Sequence, residues 1–340
     1  MKTTDFAEHL ATFLTMYLPG QRGLSPNTIM SYRDTFKQVL QYAESCGIRP
    51  EKLTLAGFNA DFIEAFLDWL EKERGCSRST RNQRLAAVRS FARYVHSKRP
   101  EYLFESQKIT GIRSKKKPEP QLPFLSPESV GAILAKPDLS TVFGRRDAVL
   151  LSLLYDSAAR VQELCDLRVR DLRLQKPYTV TLTGKGAKTR SVPIMRDTAE
   201  LLLKYVAEHK LNTTDKYDYP LFHNHQYGKL TRAGITYILK KYCESARKYF
   251  PQIPEKLSPH VFGRHSKAMH MLQAGVNLVY IRDFLGHVHL STTEIYLRAD
   301  IESERAAIEK AAIKVSPDLP DWTQDKTLMA LLTTLCVAER

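Results

Sequence analysis

Four stretches between residues 158 and 296 gather the side chains that could handle a phosphodiester. Ala158-Ala-Arg160-Val-Gln-Glu163 sets an arginine and a carboxylate three residues apart, on one helix face. Alone, that pair also reads as a structural ion pair. Gly184-Lys185-Gly186 offers a lysine at a turn, a weak signal because turns often carry lysine. Ser258-Pro259-His260 has a capping serine and a proline at the first helical position, so His260 sits at a helix N-terminus, where free N–H groups favour an anion. Arg264 follows in the same helix. Gly286-His287 closes one helix by the left-handed cap that glycine supplies, and Ser291 with Glu294 is expected to open the next as a capping box, carrying Tyr296 in its second turn. Together these groups suit a pentavalent phosphorane. Arginines clamp the non-bridging oxygens, a lysine or histidine protonates the leaving oxygen, and a tyrosine hydroxyl can attack and retain the phosphoryl group. Metal-dependent nucleases instead need clustered carboxylates, and the sequence shows no such cluster.

The elements that must position these groups fall on either side of a basic, proline-bearing stretch, Arg113-Ser-Lys-Lys-Lys-Pro-Glu-Pro-Gln-Leu-Pro123, read as an interdomain linker. Before it the pattern is helical. Ser25-Pro26 starts a helix with Ile29, Tyr32, Phe36, Val39 and Leu40 at three- and four-residue spacing. Phe62, Phe66, Leu67 and Leu70 mark a second helix, and Leu85, Val88, Ala92 and Val95 a third. The third is charged with one sign: residues 75–99 hold Arg78, Arg81, Arg84, Arg89 and Arg93 and no acid. Such a stretch repels itself unless an anion lies against it, so these arginines, with Lys115, Lys116 and Lys117 of the linker, are the expected nucleic-acid-binding residues, a solvated basic face being the alternative. After the linker, Ser126-Pro127 starts another helix, and the run Ala148–Leu154 is apolar on nearly every side, as a central helix would be. The β signal is Thr179–Thr183 returning through a turn to Arg190–Ile194. Helices are expected around 201–206, 235–242, 265–272, 278–285 and 301–313, and an apolar stripe at Leu328, Leu331, Leu332 and Leu335 marks a tail helix.

At these residues the chain resembles the tyrosine recombinases, the phage-integrase and Xer-like family, over roughly residues 6–312. Leu24-Ser-Pro-Asn-Thr28 with Tyr32, and Ser79-Thr80 with Leu85-Ala-Ala-Val-Arg-Ser-Phe91, look like its core-binding helices. Arg160-Val-Gln-Glu163-Leu looks like the first arginine box, Gly184-Lys185-Gly186 with Arg190-Ser-Val-Pro193 like the hairpin lysine, and Gly286-His287 with Thr292-Thr293-Glu294-Ile295-Tyr296 like the last box. The resemblance implies a mainly α protein. An all-helical, SAM-like core-binding domain covers 1–112, the linker 113–124, a mixed α+β catalytic domain with a small antiparallel hairpin 125–314, and a tail helix 315–340. It implies that Tyr296 attacks to give a 3′-phosphotyrosine, that Arg160 and Arg264 hold the phosphate, and that Lys185 is the general acid. His260 and His287 would bind phosphate or assist proton transfer, and Glu163 would orient the site. It implies no cofactor, metal or ATP. The partners would be double-stranded DNA, a tetramer on paired sites that exchanges C-terminal segments, and accessory or sister recombinases. One departure stands out: the family pattern is H-x-x-R, whereas His260 and Arg264 are four apart, with Gly263 between them. In an α-helix that swings His260 by about 100°. The expected resolution is a helix that starts later and leaves Gly263 in a loop; the alternative is an impaired, DNA-binding accessory protein. A type IB topoisomerase is a third reading, since relaxation uses the same chemistry.

The whole-chain numbers agree with this reading. At 340 residues the chain is too long for one ordinary core and fits two domains. Its 51 Lys and Arg against 37 Asp and Glu give +14, a surplus that attracts polyanions. No run reaches the roughly 20 apolar residues that span a bilayer. With a start that lacks an apolar signal core, the expectation is a cytoplasmic protein, at the nucleoid when bound to DNA. The five cysteines are scattered and form no CxxC, which fits reduced thiols.

Overall fold

The computed structural model describes residues 3–116 and 122–299, with Thr327 and Ala330. The chain divides into two compact units, Met1–Pro120 and Gln121–Arg340, each with its own apolar core. The expected helices at 301–313 and 315–340 lie outside the described residues, Thr327 and Ala330 excepted, and so does Lys117.

The first unit is built from α1 (Asp5–Thr12), α2 (Pro26–Ser45), α3 (Ala60–Lys72), α4 (Arg78–Lys98) and α5 (Leu103–Gly111). Thr4, Asn59 and Ser77 accept the N–H groups of Ala7, Phe62 and Thr80, and Pro26 stands at a first turn, where its missing N–H costs nothing. The apolar stripes meet in an aromatic centre: Phe91 packs edge-on against Phe36 at 5.0 Å and against Phe58 at 5.5 Å. After α1 the chain continues as a π-helix over Phe13–Gln21, with Pro19 inside it. The wider turn suits a residue that lacks an N–H and whose ring crowds an α-helical neighbour.

The arginines of α4 divide into two sets. Arg81 is 6% exposed and pairs with Glu71 at 3.4 Å; Glu71 also takes the Lys115 ammonium. Arg84 donates to Ser31 O at 3.0 Å and Thr35 Oγ1 at 3.1 Å, and Arg89 donates to Ile112 O. These three tie α4 to α2, to α3 and to the chain leaving α5, so part of the self-repulsion is answered inside the unit. Arg78, Arg93 and Lys116 are exposed, and Arg78 also donates to Lys116 O at 3.4 Å.

The second unit holds α6 (Pro127–Leu134), α7 (Val142–Asp156), α8 (Val161–Asp166), α9 (Arg196–Glu208), α10 (Arg232–Arg247), α11 (Ser266–Gln273), α12 (Leu278–Leu285) and the short α13 (Glu294–Leu297). Its strands β1 (Leu172–Arg173), β2 (Thr179–Thr183) and β3 (Thr189–Pro193) form an antiparallel sheet in the order 1-2-3, with Leu182 opposite Arg190 and Thr183 opposite Thr189. Val180, Leu182 and Val192 point into the core, as period-2 alternation requires. Leu150, Leu151, Leu153 and Leu154 are fully buried, which makes α7 the central helix. A smaller cluster of Ala158, Ala268, Met269, Ile281, Leu285 and Tyr296 binds α11, α12 and α13 together. No described helix is long and apolar enough to cross a membrane.

Candidate active site

The site is assembled where α7 ends. The chain turns sharply through Ala158, a buried residue at φ 47°, and arrives at Arg160, which caps α8. Left-handed backbone costs an alanine roughly 1–2 kcal/mol. The turn is held because the Ala158 carbonyl accepts Arg264 Nη1 at 3.1 Å. Glu163, one turn into α8, folds back on the cap: Oε2 accepts the Arg160 N–H at 2.9 Å and Oε1 accepts Arg160 Nη1 at 2.7 Å.

A second arginine closes on the same carboxylate. Arg190 Nη1 and Nη2 reach Glu163 Oε1 and Oε2 at 3.0 and 2.8 Å, the bidentate geometry of a strong pair. Its Nε donates to Phe284 O at 3.1 Å, while Arg264 Nη2 donates to Leu285 O at 2.6 Å. The last carbonyls of α12 have no partner within the helix, and the dipole there attracts cations. Two guanidinium groups therefore terminate α12, and this fixes Gly286 and His287 relative to both. Gly286 stands at φ 64°, and a Cβ there would lie 2.8 Å from Arg190 Cδ, so both its backbone and its space require glycine.

The extra residue between His260 and Arg264 is absorbed inside the helix. Residues His260–His265 form a π turn that runs on into α11; the Ser266 N–H reaches back to Val261 O, and Ser266 Oγ donates to the same carbonyl at 2.7 Å. This corrects the expected loop. A single inserted residue is what a π bulge accommodates. At about 4.4 residues per turn, four steps return His260 to within roughly 30° of where three α-helical steps would put it. The expected start is correct, since Ser258 Oγ accepts the Val261 N–H. Gly263 is required by close approach: a Cβ would lie 2.6 Å from Leu154 O in α7.

Beyond Gly286, His287 Nδ1 and Thr293 Oγ1 are 2.8 Å apart. The expected Ser291–Glu294 capping box does not form. Leu290–Thr292 is a 3-10 turn and Thr293 precedes α13 without a side-chain cap, because its hydroxyl is spent on His287. Tyr296, in the first turn of α13, is 1% exposed, with its hydroxyl 3.1 Å from His265 Nδ1. An open cleft of about 670 Å³ is lined by Arg160, Lys188, Arg190, Gly286 and His287 among others. Lys185 starts the turn that joins β2 to β3; its side chain lies outside the described ones.

The electrostatics are those of an anion site. Arg160, Arg190 and Arg264 sit close enough to repel one another, and one carboxylate, Glu163, pairs with two of them. Burial raises the Glu163 pKa, but the hydrogen bonds from Arg190, the Arg160 N–H and the two positive charges outweigh it and hold the group at about 2. Burial and the neighbouring arginines bring Arg264 down to about 10, still charged at neutral pH. Burial, then Arg264, Arg160 and Arg190, push His287 to about 4; burial, then Arg264 and Arg160, lower His260. Burial raises Tyr296, and Arg264 and Arg160 oppose that shift. Thus Arg160, Glu163, Arg264, His260, His287 and Tyr296 share one electrostatic neighbourhood.

Arg190 and His265 were not singled out from the sequence. A signal for Arg190 exists: it lies in phase with Val192 on the inward face of β3, where an unpaired charge is costly.

Comparison with known proteins decides the family. The model of the phage integrase family matches residues 123–303, and that of the phage integrase N-terminal SAM-like domain matches 12–98. The chain belongs to the tyrosine recombinases of the phage integrase family. This recombinase is 34% identical over 335 residues to an integrase/recombinase of Sinorhizobium fredii, y4rC, covering 98% of this chain and 99% of that one. It is 31% identical over 310 residues to tyrosine recombinase XerC of Pelotomaculum thermopropionicum, covering 89% and 97%. In fold it is similar to XerH site-specific recombinase bound to its difH substrate, with TM-score 0.65, 22% identity and coverage of 86% and 82%. It is also similar to the Tn1549 transposon integrase in complex with transposon right end DNA, with TM-score 0.64, 18% identity and coverage of 89% and 99%.

Proposed function

We propose that this recombinase cuts and rejoins double-stranded DNA at a specific site through a covalent 3′-phosphotyrosine, to integrate, excise or transpose a mobile element or to resolve joined DNA. The observation that supports this reading most is the arginine cluster. Three guanidinium groups gather near one carboxylate that pairs with two of them, beside an open cleft, and a phosphodiester is the anion that would answer the remaining positive charge.

Arg160 and Arg264 clamp the non-bridging oxygens, and Glu163 keeps Arg160 in place. His287 and His260 are neutral at pH 7 and contribute hydrogen bonds to the phosphate or to the proton in transit. Tyr296 attacks phosphorus, and Lys185 gives a proton to the departing 5′ oxygen. The covalent link conserves the bond energy for rejoining, so neither metal nor ATP is needed. Arg78, Arg93, Lys115 and Lys116 are the exposed candidates for DNA contact in the first unit, and Lys117 is a candidate from the sequence; Arg81, Arg84 and Arg89 support the fold that presents them. Four copies on two paired sites, with accessory or sister recombinases, complete the assembly, and the protein acts in the cytoplasm at the nucleoid.

A nicked suicide duplex tests the reading. The wild type forms a protein–DNA adduct and Tyr296→Phe forms none; an adduct that survives the substitution refutes the nucleophile. The accessory-protein reading has one observation in its favour, the 1% exposure of Tyr296, which shields its hydroxyl from solvent. Specific DNA binding with no adduct from the wild type would decide for it.

A further inference from the structure

The Tyr296 hydroxyl is engaged by a side chain to which the proposed roles give no task. His265 Nδ1 lies 3.1 Å from the hydroxyl, with the two rings 5.9 Å apart. Burial, His260 and Arg264 together push His265 to about 4, so its imidazole is neutral at pH 7. A neutral imidazole has one donor nitrogen and one acceptor, and burial keeps the proton on Tyr296. In the tautomer that carries the histidine proton on Nε2, the tyrosine O–H donates to Nδ1. This placement follows from the π turn. His265 directly follows Arg264 there, and at about 4.4 residues per turn its side chain leaves the helix about 80° from the guanidinium that is directed at the Ala158 and Leu285 carbonyls.

We propose that His265 is the base that takes the Tyr296 proton as the hydroxyl attacks the DNA phosphate. The inference rests on Tyr296 being the nucleophile. As the tyrosyl oxygen bonds to phosphorus, its proton passes to His265 Nδ1. The bond from phosphorus to the 5′ oxygen breaks, and that oxygen takes a proton from Lys185. On rejoining, the 5′ hydroxyl attacks phosphorus and returns its proton to the Lys185 amine, while the imidazolium returns its proton to the departing tyrosyl oxygen. Arg264 opposes an imidazolium in the empty site; a bound phosphate, as a nearby opposite charge, favours it. The base is therefore strengthened only when substrate is in place.

The test measures single-turnover adduct formation on a nicked suicide duplex with either an ordinary scissile linkage or a 5′-bridging phosphorothioate, whose thiolate leaves without a proton. His265→Ala and His265→Asn are each expected to slow adduct formation on the order of 10²-fold on both substrates, with DNA affinity unchanged. Asparagine keeps an acceptor oxygen near the Nδ1 position but cannot take up the proton. If His265 only positions the ring, His265→Asn runs near the wild-type rate, and that result overturns the proposal. An unchanged or faster rate in His265→Ala also overturns it, because the contact would then be a latch on a resting tyrosine. So does recovery on the phosphorothioate, which would move His265 to the leaving-group side. Retained DNA binding shows that a variant is folded, and His265→Asn carries the test if the alanine variant is not. Absence of adduct from the wild type itself would instead refute Tyr296 as nucleophile.

Discussion

Replacing Glu163 with glutamine keeps the shape of the side chain and removes the carboxylate that Arg160 and Arg190 share. The size of the effect follows from the pKa. A carboxyl held at about 2 rather than its ordinary 4.5 has gained about 3 kcal/mol of folding stability at neutral pH. Removing one member of a buried ion pair costs about 3–5 kcal/mol, which agrees. The sign is that of a depressed carboxylate. The contribution is complete above about pH 4.5, declines as pH falls toward 2 and vanishes below it; at pH 3 about 2 of the 3 kcal/mol have gone. Denaturant unfolding of wild type and Glu163→Gln, followed by circular dichroism at pH 7, 5 and 3, measures this. The two proteins should differ by about 3 kcal/mol at pH 7 and 5 and by roughly 1 kcal/mol at pH 3. Of the buried histidines near the site, His265 and His287 titrate in both proteins and cancel from the difference, whereas His260, whose pKa Glu163 raises, is lowered further in Glu163→Gln. A cost below about 0.5 kcal/mol at pH 7 would refute the shared ion pair, because that is the range of an ordinary surface substitution. A difference that stays constant down to pH 3 would refute the pKa argument.

Gly263→Ala places a methyl 2.6 Å from Leu154 O, so it should cost at least about 1–3 kcal/mol in unfolding experiments and reduce adduct formation, since His260, Arg264 and His265 move with the turn. Arg190→Ala removes one of the two donors at each Glu163 oxygen and the side-chain donor at the Phe284 carbonyl; a loss of about 2–4 kcal/mol is expected, with Arg190→Lys recovering only part of it because an ammonium cannot bridge both oxygens. DNA binding, measured by fluorescence anisotropy, should weaken by about 10³–10⁵ between 50 and 200 mM salt if about 6–10 phosphates are contacted; a flat response would contradict a phosphate-tracking surface.

Short-range chemistry made much of this protein legible in its residues. Helix starts at Ser126-Pro127 and Ser258-Pro259 depend on one side chain and one ring, the start at Ser25-Pro26 on the ring without a side-chain cap, and the Gly286 stop on one missing Cβ. The hairpin follows from alternation across a turn, and the boxes around Arg160, Lys185, Arg264, His287 and Tyr296 from residue types at fixed spacing. Three features could be decided only by packing. A sequence shows the charge of Arg81, Arg84 and Arg89 but not the carbonyls of Ser31 and Ile112 or the Glu71 carboxylate that meet them. Ser291 and Glu294 form no capping box because the turn puts Thr293 before α13, with its hydroxyl on His287, a pairing that local spacing does not show. The inserted residue at Gly263 becomes a π turn because α7 presses its backbone against that position, and this contact joins residues more than a hundred apart in the chain. Local rules place groups along one helix or strand; which groups then meet depends on how separate elements pack, and that is how Arg190 and His265 come into the site.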